Sequence, residues 1–168
     1  MTFPNLPADA REESSVGFHA HGVESPPLFS HVAALETWLS AVAKTHNARI
    51  SSLDYVLCDD DFLHAMNVER LAHDTLTDII TFDLSDDPTA GIQGECYISL
   101  PRVHENAVSY AEVVAGTAPE TTELLRVIAH GLLHLCGLGD KSEAEAEKMR
   151  AAEDEALYIW RSRFDPRG

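Results

Sequence analysis

Positive charge is what this chain has least of. Twelve lysines and arginines face 28 aspartates and glutamates, a formal net charge of -16 over 168 residues. Such a chain repels phosphates and acidic membranes on average, so general nucleic-acid affinity is not encoded. Any grip on a polyanion must come from a metal or a few clustered cations, and must weaken as salt rises. Cysteine is scarce too. Cys58, Cys96 and Cys136 are odd in number, widely spaced and form no C-x-x-C, which argues against a disulfide framework or a cysteine-based zinc ribbon and leaves buried free thiols. No run of about 18 apolar residues exists, so no membrane span is expected. The opening "MTFPNLPADAREESS" lacks both the basic start and the apolar stretch of a signal peptide, which points to the cytoplasm.

What remains suits one compact domain. Residues 1–14 are polar, with two prolines, and read as a flexible leader before a single domain over 15–168. "SVGFHAHGV" suits a first strand, and "SPPLFSHVAALETWLSAVAKTHN" a helix with Phe29, Val32, Leu35, Leu39 and Val42 on one stripe. "ARISSLDYVLCD" alternates as a strand does, and "DDFLHAMNVERLA" opens on aspartates suited to capping a helix. "LTDIITFDL" and "GECYISL" are β-rich and flank the turn-forming "SDDPTAGIQ", so they read as adjacent strands. Three helices follow: "PRVHENAVSYAEVVAG" and "PETTELLRVIAHGLLHLCG", each opening on proline and closing on glycine, and the acidic "SEAEAEKMRAAEDEALYIWRSRF". The order βαβαββααα predicts an α+β fold, a four-stranded mixed sheet packed with about five helices.

The helix over 121–136 is apolar nearly all round and therefore buried, yet it holds His130 and His134. At about 100° per residue the two imidazoles lie roughly 40° apart on one face, one turn apart along the axis, so both can aim at one point. Cys136 lies about 200° round from His134 and cannot share that point while the helix persists. Gly137 is placed for a left-handed stop, after which "LG" lets the chain turn back and bring Asp140 toward the histidines. The pattern H-x3-H-x5-D offers two nitrogens and one carboxylate. Zinc accepts such donors, and three protein ligands with an open position are the arrangement of a catalytic site. Two core histidines that happen to fall four apart would give the same spacing, though buried imidazoles need partners and none is local.

The same stretch, "HGLLHLCGLGD", resembles the signature of the YbeY family of bacterial metal-dependent endoribonucleases, H-G-x-L-H-L-x-G-[YF]-D-H. His130, Gly131, Leu133, His134, Leu135 and Gly137 match, while Leu138, Gly139 and Asp140 replace an aromatic, an aspartate and a third histidine. "MNVERLAHDTLTDIITFDL" is similar to the family's N-x-x-[YF]-R-x-K-D-x-P-T-D-V-L-S-F, with Asn67, Asp74, Thr77, Asp78 and Phe82 in place. "GECYIS" resembles its G-D-[IV]-x-I-S strand, and "EAEAEKMRAAEDEAL" its acidic last helix.

The resemblance favours the metal reading and implies more than the residues alone do. It implies a zinc-dependent, single-strand-specific endoribonuclease, one ion per chain on His130, His134 and Asp140. The implied role is ribosomal RNA maturation, including the 3′ end of the small-subunit RNA, and ribosome quality control, with the ribosome or its proteins as partners. Leu71 stands where the family has a phosphate-handling arginine, so Arg70 and His73 become the candidate substrate contacts, with Arg102 a further cation for the positive patch. Two other classes compete. A zinc peptidase would use H-E-x-x-H, but Gly131 occupies the position of the glutamate base. A ribosome-associated protein with a purely structural metal would need a closed four-ligand shell.

Overall fold

The computed structural model describes residues 15–71, 77–109 and 118–163, apart from the side chains of Arg70, Leu71, Pro88 and Ser109. The leader 1–14, the segment 110–117 expected to prolong a helix, and the candidate contact His73 lie outside the described residues. Strand β1 (Ser15–Ala20) is followed by a 3-10 turn (Pro27–Ser30) and helix α1 (Val32–Thr45). Then come β2 (Ile50–Cys58), α2 (Asp60–Leu71), β3 (Ile79–Asp83), a second 3-10 turn (Pro88–Ala90) and β4 (Ile92–Ser99). Helices α3 (Leu100–Ser109), α4 (Pro119–Leu135) and α5 (Glu143–Arg163) complete the α+β architecture. The long helix expected from Ser25 starts only at Val32, because Pro26 and Pro27 confine the chain to extended and 3-10 backbone first.

The sheet order is β1-β2-β4-β3. β1 and β4 flank β2 in parallel, joined by crossovers, and β3 pairs antiparallel with β4 as its turn sequence predicts. One face carries the main core, where Leu35, Trp38 and Leu39 of α1, Leu125, Ile128 and Leu132 of α4, and Leu53 and Leu57 of β2 are all but inaccessible. On the other face α2 covers a smaller cluster of Leu63, Cys58 and Ile80. Two buried side chains tie the helices down through main-chain carbonyls. Tyr55 donates to Ile128 O at 2.8 Å, and Trp38 Nε1 donates to Ala156 O at 2.8 Å.

Gly131 decides how closely α4 approaches the sheet. A Cβ there would meet Cys96 Sγ at 2.7 Å and the Ile79 side chain at 3.0 Å. Hydrogen in place of a methyl therefore lets the histidine-bearing turn rest on β3 and β4. No helix among the described residues is long and apolar enough to cross a membrane. All three cysteines are free, Cys58 and Cys96 buried and Cys136 half-buried. Burial pushes their thiols up to about 11, 12 and 11 respectively, which leaves them protonated and poorly nucleophilic at neutral pH.

Candidate metal centre

α4 ends in a Schellman turn. Leu138 N donates to Leu133 O and Gly137 N to His134 O, both at 3.0 Å, while Gly137 takes the left-handed φ of 105°. The turn does two things for the site. It returns Leu138 O to His134 Nδ1 at 2.9 Å, and it brings the chain round so that Asp140 faces the helix. His134 therefore donates from Nδ1 and keeps Nε2 for another partner.

His130 is fixed from a different direction. Its Nδ1 lies 2.7 Å from Glu153 Oε2 of α5, and Glu153 in turn accepts from Arg126 Nη1 at 3.1 Å. Arg126 also donates to Asp154 at 2.8 Å. Glu153 and Arg126 are among the few buried charged residues, at 6% and 7% exposure, and each satisfies the other. Burial opposes charging His130, but the hydrogen bond it donates to Glu153 and the negative charges of Glu153, Asp140 and Asp78 outweigh it and raise the imidazole's pKa. A carboxylate accepting from Nδ1 fixes the ring and leaves Nε2 as the ligand atom.

His130 Nε2 and His134 Nε2 each lie 3.4 Å from the same oxygen, Asp140 Oδ2. That is too long for a hydrogen bond. It matches the edge of about 3.3 Å in a tetrahedron built on metal–ligand bonds near 2.05 Å. Donor atoms from His130, His134 and Asp140 all fall within 4.8 Å of one another. Two imidazoles and a carboxylate, their outer nitrogens already occupied, are the chemistry that a borderline divalent ion takes. Cys136 is not part of the group, as its angle on the helix required.

The three donors open onto a cleft of about 810 Å³, lined also by Asn67, Thr77, Asp78, Asp83 and Lys141. Burial pushes the Asp78 carboxyl up, with His130 working against it. Of the expected substrate contacts, Arg70 is on α2 with an undescribed side chain, and His73 lies outside the described residues. Arg102 stands outside the cleft lining. It is bound to Asp60 at 2.7 Å and to Glu105 at 3.3 Å. Glu153, Arg126 and Lys141 were missed by sequence reasoning. The first two could have been found as charges on apolar stripes, Glu153 between Met149, Ala152, Ala156 and Leu157, and Arg126 among the leucines of α4.

Fold and donor set together define an α+β protein with a helix-borne candidate metal centre of the hydrolytic type. A family model described as Endoribonuclease YbeY matches residues 26–161. An Endoribonuclease YbeY of Flavobacterium johnsoniae is 46% identical over 133 residues, 76% of this chain and 86% of that protein. One from Porphyromonas gingivalis is 38% identical over 150 residues, 87% and 90% of the two chains. The solution structure of TM1509 from Thermotoga maritima superposes with a TM-score of 0.55 at 27% identity, covering 90% of this chain and 97% of that one. The chain belongs to the YbeY endoribonuclease family.

Proposed function

We propose that this protein is a zinc-dependent endoribonuclease that cuts single-stranded RNA in the cytoplasm, with one ion held by His130, His134 and Asp140. The endoribonuclease activity and its place in ribosomal RNA processing follow from the family. Action at the 3′ end of small-subunit RNA, and in ribosome quality control alongside ribosomal proteins, is the finer role proposed here. The observation that carries the metal assignment is the convergence of two Nε2 atoms on one carboxylate oxygen at 3.4 Å. When bound, the ion supplies Lewis acidity to a phosphate oxygen and lowers the pKa of an attacking water. The chain's own groups do the rest. Glu153 and Leu138 O hold the two imidazoles in the tautomer that leaves Nε2 unprotonated. The Schellman turn holds Asp140 opposite them, and the cleft leaves one side of the donor set open, which supports catalysis over a closed structural site.

Elemental analysis of the purified protein, with cleavage of single-stranded RNA followed with and without chelator, tests this. Stoichiometric zinc and chelator-sensitive cutting are expected. Cutting that persists in a metal-free sample would end the metal assignment, and tightly bound zinc without cutting would favour a structural role.

A further inference from the structure

The cleft poses an electrostatic problem for a polyanion. Its lining carries three carboxylates, Asp78, Asp83 and Asp140, and among the described residues a single lysine or arginine, Lys141. Lys141 is exposed, follows Asp140 directly, and has no ion pair or hydrogen bond among the described residues. Beyond the metal centre the cleft has two continuations. Past Asp78 and His130 lies a space of about 280 Å³ whose Arg126 is already committed to Glu153 and Asp154, and whose Arg150 shares the lining with three carboxylates, Asp78, Glu123 and Glu153. Past Asp83 and Leu135 lies a groove of about 480 Å³ between the turn after α1 and the β3–β4 connection. That groove is lined by His46 and Arg49, and Asp83 is its only acid among the described residues. Asp87 of the same connection accepts from Thr89, and Asp83 Oδ1 accepts from Ser85 N at 2.9 Å, which fixes the Asp83 carboxylate and leaves its second oxygen without a partner among the described residues. Arg49 is exposed and spends one hydrogen bond on Ala90 O at 3.2 Å, which anchors it and leaves most of its five donors uncommitted.

We propose that the RNA strand lies along the cleft and this groove, one phosphate on Lys141, a later one on Arg49, and a ribose over Asp83 between them. The inference rests on the endoribonuclease reading above. A carboxylate repels phosphate but accepts a hydrogen bond from a ribose 2′-hydroxyl, the group that distinguishes RNA from DNA. The order cation, carboxylate, cation thus matches the order phosphate, ribose, phosphate along a single strand. It also places the added positive charge where a chain of net charge -16 most needs it.

The test measures binding of one labelled single-stranded RNA, and of DNA of the same sequence, to the metal-loaded protein across a salt series, beside chelator-controlled cleavage. Lys141→Glu and Arg49→Glu should each weaken RNA binding by about tenfold and flatten the slope of log K against log salt by about 0.7 per phosphate lost. Lys148→Glu, on an exposed stretch of α5 lining neither cavity, is the control for net charge. Asp83→Ala should let DNA bind nearly as well as RNA. Losses no larger than that of Lys148→Glu, or a loss in Lys141→Glu alone, would overturn the track, and an unchanged preference for RNA in Asp83→Ala would overturn the ribose contact on which it is argued. The underlying reading fails separately, in the wild type, as cutting that is absent or survives chelator.

Discussion

Helices α4 and α5 both supply the candidate metal centre, against opposite backgrounds. α4 is apolar nearly all round, so its histidines are conspicuous polar interruptions in a buried rod. α5 is acidic along most of its length, and Glu153 differs from Glu147 or Glu155 only in being buried. A functional group is visible where its polarity contrasts with its neighbours and disappears among its own kind. The physical roles are just as unequal, since α4 carries two of the candidate ligands while α5 presents the acceptor that aims one of them.

The sharpest way to break this pairing is at α4. His130→Ala or His134→Ala should abolish stoichiometric metal and lower cleavage by about a hundredfold or more, while far-ultraviolet circular dichroism stays native. Full metal occupancy in both variants would dismiss the site. Next comes the junction of the two helices. Arg126→Ala leaves Glu153 buried without its cation and should cost about 3–5 kcal/mol in urea unfolding. Glu153→Gln keeps the shape and removes the charge, and should reduce metal affinity by about ten- to a hundredfold with a smaller stability loss. Equal effects of these two variants on metal affinity and stability would mean that the network is structural only.

Asp140 gives a smaller contrast, because water can replace a lost carboxylate. Asp140→Ala should weaken metal binding by about tenfold, and Asp140→His should retain the ion, both read by competition with a chromogenic chelator. Unchanged affinity in the alanine variant would remove Asp140 from the ligand set. The smallest effect belongs to the half-buried counterpart of Arg126–Glu153. Arg102 donates to Asp60 and holds its carboxyl below the usual range. A lowered folded-state pKa stabilises above the unfolded value and stops doing so as pH falls through the folded one. Asp60→Asn should therefore be slightly less stable than wild type near neutrality, and the difference should close below the ordinary carboxylate range.

Much of this was legible in the residues. Element order, the α+β class, the adjacency of β3 and β4, and the approach of Asp140 to His130 and His134 all follow from local signals: period, proline and glycine punctuation, and helix angle. What was not legible is long-range. Nothing local says that the residue aiming His130 lies 23 positions on, in another helix. The pairing of Arg102 was hidden for a similar reason, since its partner Asp60 is 42 residues away. Lys141 was passed over because a lysine in a loop is ordinarily just solvated, and only the shape of the cleft gives it a place.

The Schellman turn has a kinetic consequence. All three candidate ligands and the carbonyl that orients His134 come from the continuous stretch 130–140, whereas β1–β2 and β2–β4 must close through crossovers. Local contacts form early and non-local strand pairs late. A divalent ion that takes the proposed ligands should therefore find them before the sheet closes, and its stabilisation should appear mainly as faster folding, with the unfolding limb of the chevron nearly unmoved.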